Sequence, residues 1–156
     1  MKSEQIKIKF IKATVMSLIF LFIAATGYVN PANASVQTIP AAVTEAFMKK
    51  FPEATNVKWG KENAHEYEAS FKNNGIKFSA NFSDKGEWME TETGMLFENL
   101  PAKIQEAYNK EHKGSKVKAS AMIENANGTK KYEVEYKKGG KTVELFYDEN
   151  GNSVSE

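Results

Sequence analysis

Two stretches of the chain, 39–92 and 100–156, follow the same order of hydrophobic patterns. In each stretch, apolar residues first recur every three or four positions, which predicts a helix with one apolar face, and then alternate with polar residues, which predicts strands. Equivalent positions keep one constant offset in the helices, as with Pro40 and Pro101, and a slightly longer one in the later strands, as with Gly86 and Gly151. This self-similarity predicts a tandem repeat of one helix-and-sheet unit.

Each predicted helix begins beside a proline, where the first helical turn tolerates that residue. The first helix should end before Phe51-Pro52, because the residue before a proline is disfavoured in the helical region. Gly114 marks the end of the second helix. The apolar faces of the two helices consist of Ile39, Val43, Ala46 and Phe47, and of Leu100, Ile104, Ala107 and Tyr108.

Four antiparallel strands are predicted after the first helix, and Asn74-Gly75 is a strong signal for a two-residue hairpin between two of them. The second repeat shows three strands followed by a short tail. The predicted fold class is α+β: a tandem repeat of a helix followed by a four-stranded antiparallel sheet, with the helices packed on one sheet face. One such unit buries only one face of its sheet, so the two units should pack edge to edge or face to face. The predicted strands cover 56–59, 66–72, 76–82, 87–92, 117–123, 131–137 and 141–147.

The first 34 residues have the features of an export signal. A start rich in lysine precedes the apolar stretch 13–29, and Ala32-Asn33-Ala34 is a small-x-small cleavage site. The apolar stretch is shorter than the roughly 20 residues that a membrane-spanning helix needs. We therefore predict a signal peptide at 1–34, cleaved after Ala34, followed by a first repeat at 35–98 and a second at 99–156. The mature chain should be periplasmic or secreted, without membrane insertion.

The charge of the mature chain argues against a nucleic-acid partner. Residues 1–34 hold four of the 21 basic residues and one of the 20 acidic ones, so the remainder is slightly acidic. All basic residues are lysines, and the planar, bidentate guanidinium that suits phosphate recognition is therefore missing. The chain also has no cysteine, so the core must stabilise the fold without disulfides.

The side chains available for catalysis or metal binding are few. A zinc site or a catalytic triad needs several convergent groups, but the chain has no cysteine and only His65 and His112 as imidazoles. Asp84 and Asp148 stand in predicted turns beside glycines. The segment 148–152 is similar to a calcium loop, but its glycine comes two positions early and the bidentate glutamate is missing. We predict no metal, no cofactor and no enzymatic activity; the alternative is an enzyme that uses glutamates and His65.

Aromatic residues without a counterpart in the other repeat are candidate anchors for a partner. Phe146 falls on a polar strand face where the first repeat has Asn81, and Trp59 and Trp88 have no aromatic equivalent in the second repeat. Two simpler interpretations stay open: Phe146 packs under the chain terminus, and Trp59 belongs to the core beside Val57. The predicted partner-binding residues are Trp59, Glu66, Glu68, Lys77, Asn81, Trp88, Glu133, Glu135, Glu144 and Phe146.

The stretch 39–59, IPAAVTEAFMKKFPEATNVKW, together with Tyr67-Glu68-Ala69 and the strand 78–86, resembles the PepSY-like, beta-lactamase-inhibitor-like family of secreted bacterial proteins. The second repeat departs from this motif, with His112-Lys113 in place of Phe-Pro. The resemblance implies a periplasmic or secreted α+β tandem of helix-plus-four-strand units. The family name refers to a fold likeness to an inhibitor that grips an enzyme with its concave sheet, but no inhibitory contact residue carries over by motif.

The function predicted from the sequence is that of an exported, non-catalytic binding module of the PepSY-like type, which binds a protein or peptide partner through its sheet face. The first alternative is an inhibitor or modulator of a secreted hydrolase, such as a protease or a beta-lactamase-like enzyme. The second alternative is the enzyme that uses glutamates and His65.

Overall fold

A computed structural model describes the chain from Thr38 to Ser155. The predicted signal peptide and its cleavage site lie outside the described residues. The elements, in chain order, are α1 (Ala41–Lys50), β1 (Thr55–Lys61), β2 (Glu66–Asn73), β3 (Ile76–Ser83), β4 (Trp88–Met95), a 3-10 helix (Phe97–Asn99), α2 (Ala102–Glu111), β5 (Val117–Asn125), β6 (Lys130–Lys138), β7 (Lys141–Tyr147) and β8 (Ser153–Val154).

All eight strands form one antiparallel sheet in the order in which they follow along the chain. The prediction of a tandem repeat of a helix and its own four-stranded sheet is therefore wrong. The finding that overturns it is the pairing of β4 with β5, which runs without a register shift from Glu90 opposite Asn125 to Met95 opposite Ser120. Two separate sheets would leave β4 and β5 as edges with unpaired backbone groups, and pairing them removes both edges.

Both helices begin beside the predicted prolines, and α1 ends before Phe51-Pro52 as predicted, whereas α2 ends at Glu111, three residues before Gly114. Pro40 immediately precedes α1 and Phe51 follows its last residue, where the Phe51 backbone N–H donates to the Phe47 carbonyl. Pro101 precedes α2 in the same way, and the His112 N–H donates to the Tyr108 carbonyl. Prolines fit these positions because the first residues of a helix have no intrahelical acceptor for their N–H groups.

The two helices pack on the same face of the sheet, which we term the covered face. Val43 and Phe47 of α1 pack against strand residues that include Ala69, Phe71 and Phe82. On α2, Ile104 and Tyr108 are buried in a second cluster with Tyr132, Val134, Tyr136 and Tyr147. The strand register places both sets of strand residues on one side of the sheet, because side chains alternate between faces along each strand. The hydrophobic core thus lies between the helices and this face.

At one end of the sheet, one turn contacts the start of α1 and a second turn contacts the start of α2. Gly86, after β3, has a φ of +83°, and a Cβ atom built there would lie 2.5 Å from the Ala42 carbonyl oxygen. Gly151, after β7, has a φ of +81°, and its Cβ would lie 2.6 Å from the Lys103 carbonyl oxygen. Only glycine combines this left-handed backbone with so close an approach.

Replacing Gly86 with alanine should destabilise the fold because the substitution adds both backbone strain and a clash with α1. We expect the free energy of unfolding to fall by more than about 2 kcal/mol. Gly128→Ala is the matched control, since Gly128 also has a φ of +81° but a Cβ there meets nothing within 4 Å. Urea denaturation of both variants measures the difference, and equal losses would contradict the contact with α1.

Candidate binding surface

The face of the sheet opposite the helices, termed here the open face, has no described helix packed on it. The register brings strand positions from across the sheet into rows on this face. One row runs from Glu68 through Asn81 and Glu90 to Asn125. The open face carries eight of the ten predicted binding residues, namely Glu66, Glu68, Lys77, Asn81, Glu133, Glu135, Glu144 and Phe146.

The two tryptophans lie elsewhere. Trp59 packs against the α1 core, with its ring centroid 5.2 Å from that of Phe47. Trp88 packs against the same core; its Nε1 donates to Thr91 Oγ1 at 2.9 Å, and Lys50 Nζ lies 3.5 Å from its ring centroid. The structure therefore does not bring Trp59 and Trp88 together with the other eight residues, and Trp59 fits the simpler interpretation of a core residue.

Phe146 lies on the open face but is only 9% exposed. Val154 of β8 pairs directly with it, and Lys131 Nζ lies 5.4 Å from its ring centroid. This environment matches the simpler interpretation, in which the ring packs under the chain terminus. A ring with so little accessible surface stabilises the edge of the sheet. Direct contact with a partner would therefore involve the neighbouring residues of the open face rather than this ring.

A carboxyl group missing from the predicted set, that of Glu92, lies near the centre of the sheet. Glu92 stands opposite Ser79 on β3 and Ile123 on β5, and Ser79 Oγ donates to its carboxylate at 3.4 Å. Burial, and after it the nearby charges of Glu68 and Glu135, raise the pKa of Glu92 to about 7. Alternation along β4 alone would place Glu92 on the face of Trp88; the register shift beside Trp88 separates the two residues, and the burial of Glu92 depends on β5.

The carboxylates around Glu92 are hydrogen-bonded within the open face. Ser70 Oγ donates to Glu68 at 3.3 Å, and burial raises the pKa of Glu68 as well. Glu90 accepts a hydrogen bond from Asn81 Nδ2 at 3.5 Å, while the buried Asn81 Oδ1 has no hydrogen-bond partner among the described residues. The open face therefore offers acceptor atoms, and one of them is unsatisfied.

The positive charges of the open face lie toward its edges. Lys118 Nζ lies 2.9 Å from Glu135 Oε2 and forms a salt bridge whose two side chains are 34% and 12% exposed. Lys72 and Lys77 stand directly opposite each other beside the β2–β3 hairpin. The open face thus has carboxylates in its middle rows and lysines at the hairpin end, together with the buried apolar residues Ala121, Ile123 and Phe146.

The two histidines lie outside the strands, His65 just before β2 and His112 just after α2. His65 Nδ1 lies 3.2 Å from Asp84 Oδ2, and the His65 side chain is 80% exposed. The His112 ring contacts two aromatic rings in tilted arrangements, with centroid distances of 5.3 Å to Tyr108 and 5.0 Å to Tyr136. A solvated imidazole paired with one carboxylate provides no enclosed reaction site.

The Asp148 carboxylate is used within its own turn. It accepts hydrogen bonds from the Asn150 N–H, the Asn152 N–H and Asn152 Nδ2, at 2.8 to 2.9 Å. These bonds lower the pKa of Asp148, the bonds from Asn152 contributing most. The prediction that Asp148 forms a turn is confirmed. Between residues 38 and 155, no three His, Asp or Glu side chains converge closely enough to hold a metal ion.

Neither helix within the described range has the length and apolar character needed to cross a membrane.

Comparison with known proteins gives a consistent family and fold. The model of the family described as "Putative beta-lactamase-inhibitor-like, PepSY-like" matches residues 29–79 and 65–154. A structure of a BLIP-like protein from Bacteroides fragilis is 26% identical, with a TM-score of 0.63, and the match covers 74% of this chain and 84% of that one. No curated protein matches the chain.

Two further solved structures share the fold. A "putative periplasmic" protein from Bacteroides eggerthii is 19% identical, with a TM-score of 0.69, over 76% of this chain and 87% of that one. A DUF2874 family protein from Bacteroides ovatus is 23% identical, with a TM-score of 0.66, over 76% of this chain and 86% of that one. At these identities the likeness demonstrates a shared fold.

The buried carboxyl of Glu92 should make stability depend on pH. Because its pKa is raised above the ordinary value of 4.5, the folded state holds this proton more tightly than the unfolded state. The contribution of Glu92 to the free energy of unfolding is therefore fully present below pH 4.5, and it is lost as the pH rises toward and through 7. Glu92→Gln should remove this loss, which amounts to at most about 3 kcal/mol.

Urea denaturation at a series of pH values measures this effect. The matched control is Glu45→Gln, on the exposed side of α1, which should leave the pH dependence of the parent protein intact. A Glu92→Gln variant with the same pH dependence as the parent would show that the group is not titrating in this range.

Proposed function

The chain belongs to the PepSY-like, beta-lactamase-inhibitor-like family, and we propose that it is an exported, non-catalytic binding module whose open face contacts a protein or peptide partner. The observation that carries this proposal is the unequal use of the two sheet faces. Both helices and both core clusters occupy the covered face, so the fold is stabilised from one side.

The chemistry of the open face supports recognition of a polar surface. Its central carboxylates, Glu68 and Glu92, are partly withdrawn from water and accept single hydroxyl hydrogen bonds at 3.3 and 3.4 Å. Hydrogen bonds from a partner's donors to these carboxylates should be strong, because a charged hydrogen bond is stronger away from water. Asn81 Oδ1, buried without a partner, is a further acceptor that a bound donor could satisfy.

Export and the absence of catalysis are parts of the same proposal. The leader at 1–34 has the pattern of a signal peptide, and the B. eggerthii protein with this fold is described as "putative periplasmic". The His65–Asp84 pair lies in exposed segments outside the strands, with the His65 side chain 80% exposed, and this solvation supports binding rather than a reaction.

Incorporating a photo-crosslinking amino acid at one chosen position tests which face of the protein contacts the partner. Placed at Lys77, on the open face, it should yield a discrete crosslinked protein or peptide in cells that produce the native chain. Placed at Lys49, an exposed lysine of α1, it should yield none. Mass spectrometry of the products identifies the partner and the attachment point. Products of equal yield at both positions, or only at Lys49, would reject the open face as the contact surface.

A second candidate, an inhibitor of a secreted hydrolase, is favoured by the family description and by the B. fragilis structure described as BLIP-like. It predicts that adding the mature protein to a beta-lactamase, or to a secreted protease, lowers the rate of substrate hydrolysis in a saturable way. Lys77→Glu should weaken the inhibition and Lys49→Glu should not, if the open face is responsible. Unchanged hydrolysis at saturating protein would remove that enzyme as a target.

A further inference from the structure

Three turns of the sheet carry an asparagine followed by glycine: Asn74-Gly75 between β2 and β3, Asn127-Gly128 between β5 and β6, and Asn150-Gly151 between β7 and β8. In an Asn-Gly pair the glycine nitrogen can reach the asparagine side-chain amide, because glycine has no Cβ to hinder the approach. The three pairs have the same local chemistry, so any difference in their reactivity must come from the fold.

The reaction is a spontaneous deamidation. The glycine nitrogen loses its proton to a base in solution and forms a bond to the asparagine Cγ, the bond from Cγ to the amide nitrogen breaks, and ammonia leaves. Water then opens the resulting succinimide ring at either carbonyl and gives aspartate or isoaspartate. The net reaction consumes one water and releases one ammonia, without any oxidant, reductant or enzyme.

The fold restrains the attacking nitrogen in two of the three turns. The Gly128 N–H donates to the Asn125 carbonyl at 2.9 Å, and the Gly151 N–H donates to the Asp148 carbonyl at 3.0 Å. Attack requires this hydrogen bond to break first, which costs free energy. Among residues 38–155, no acceptor receives the Gly75 N–H, and a Cβ at Gly75 would meet nothing within 4 Å.

The asparagine side chains differ in the same direction. Asn127 Oδ1 accepts from the Thr129 N–H at 2.8 Å, and Asn150 Oδ1 accepts from Lys103 Nζ at 3.1 Å. Each bond holds the carboxamide in its turn. Asn74 is exposed at the hairpin tip, and no hydrogen bond within the described range holds its side chain.

Local charge adds to the difference. Lys72 and Lys77 face each other beside the Asn74 turn, and positive charge lowers the energy of the anionic nitrogen and of the oxyanion that follows. At the Asn150 turn the two signs oppose each other: Lys103 Nζ donates to Asn150 Oδ1 at 3.1 Å, and the Asp148 carboxylate accepts from the Asn150 N–H at 2.8 Å.

We infer that Asn74 is a site of spontaneous modification in the folded protein and that it converts to aspartate or isoaspartate faster than Asn127 and Asn150. The product places a carboxylate beside Lys72 and Lys77, at the lysine-rich end of the open face. Isoaspartate also adds a backbone carbon to a turn in which both residues, Asn74 at +48° and Gly75 at +81°, have positive φ.

Peptide mapping of the folded mature protein, incubated at mildly alkaline pH, tests the inference. Mass spectrometry separates the three asparagines, and Asn74→Asp supplies the standard for the aspartate product. We expect Asn74 to convert roughly tenfold faster than the other two sites, the factor that corresponds to one lost hydrogen bond. In denaturing urea the three rates should converge, because the dipeptide is the same. Equal rates in the folded protein, or faster conversion at Asn127 or Asn150, would overturn the inference.

Discussion

The backbone pairing between β4 and β5 is the constraint on which the rest of the structure depends. It joins the strands before and after α2 into one sheet, and its register from Glu90 to Met95 fixes which residues face the helices on both sides of the joint. A shift of one residue would turn every side chain of the later strands to the opposite face. The α1 and α2 cores then could not lie on one side of the sheet, and the open face would not exist as a continuous surface.

Local patterns in the sequence were enough to predict the helices, most strands and the side of the sheet that meets the core. Prolines bound α1 and α2, and Asn74-Gly75 forms the hairpin that its two positive-φ positions require. These features depend on residues that are close together in the sequence, so they can be predicted from one sequence. The arrangement of the strands in one sheet could not be predicted. Alternation in β4 and in β5 indicates that each segment is a strand, but it does not indicate which strand pairs with it.

The same limit explains which features of the candidate site the sequence did not predict. Glu92 appears in the sequence as one more polar position of a strand, and its burial appears only when β3 and β5 stand on either side of it. Phe146 appears as an exposed aromatic until the two residues of β8 cover it, and no pattern strong enough to predict so short a strand exists. The eight open-face positions were grouped correctly because strand parity is local; their environments were not, because burial is set by partners distant in sequence.

Because side chains alternate between the two faces of a strand, successive residues have different structural roles. In β2, Tyr67, Ala69 and Phe71 belong to the core, while Glu66, Glu68 and Ser70 face the other way. The strands can therefore accept many substitutions at the outward positions, but gaining or losing a single residue between turns would exchange the two roles unless a bulge absorbed it, as the register shifts in the β1–β2, β3–β4 and β5–β6 pairings do. Divergence of this architecture should proceed by replacement within strands, with insertions and deletions confined to the turns and bulges.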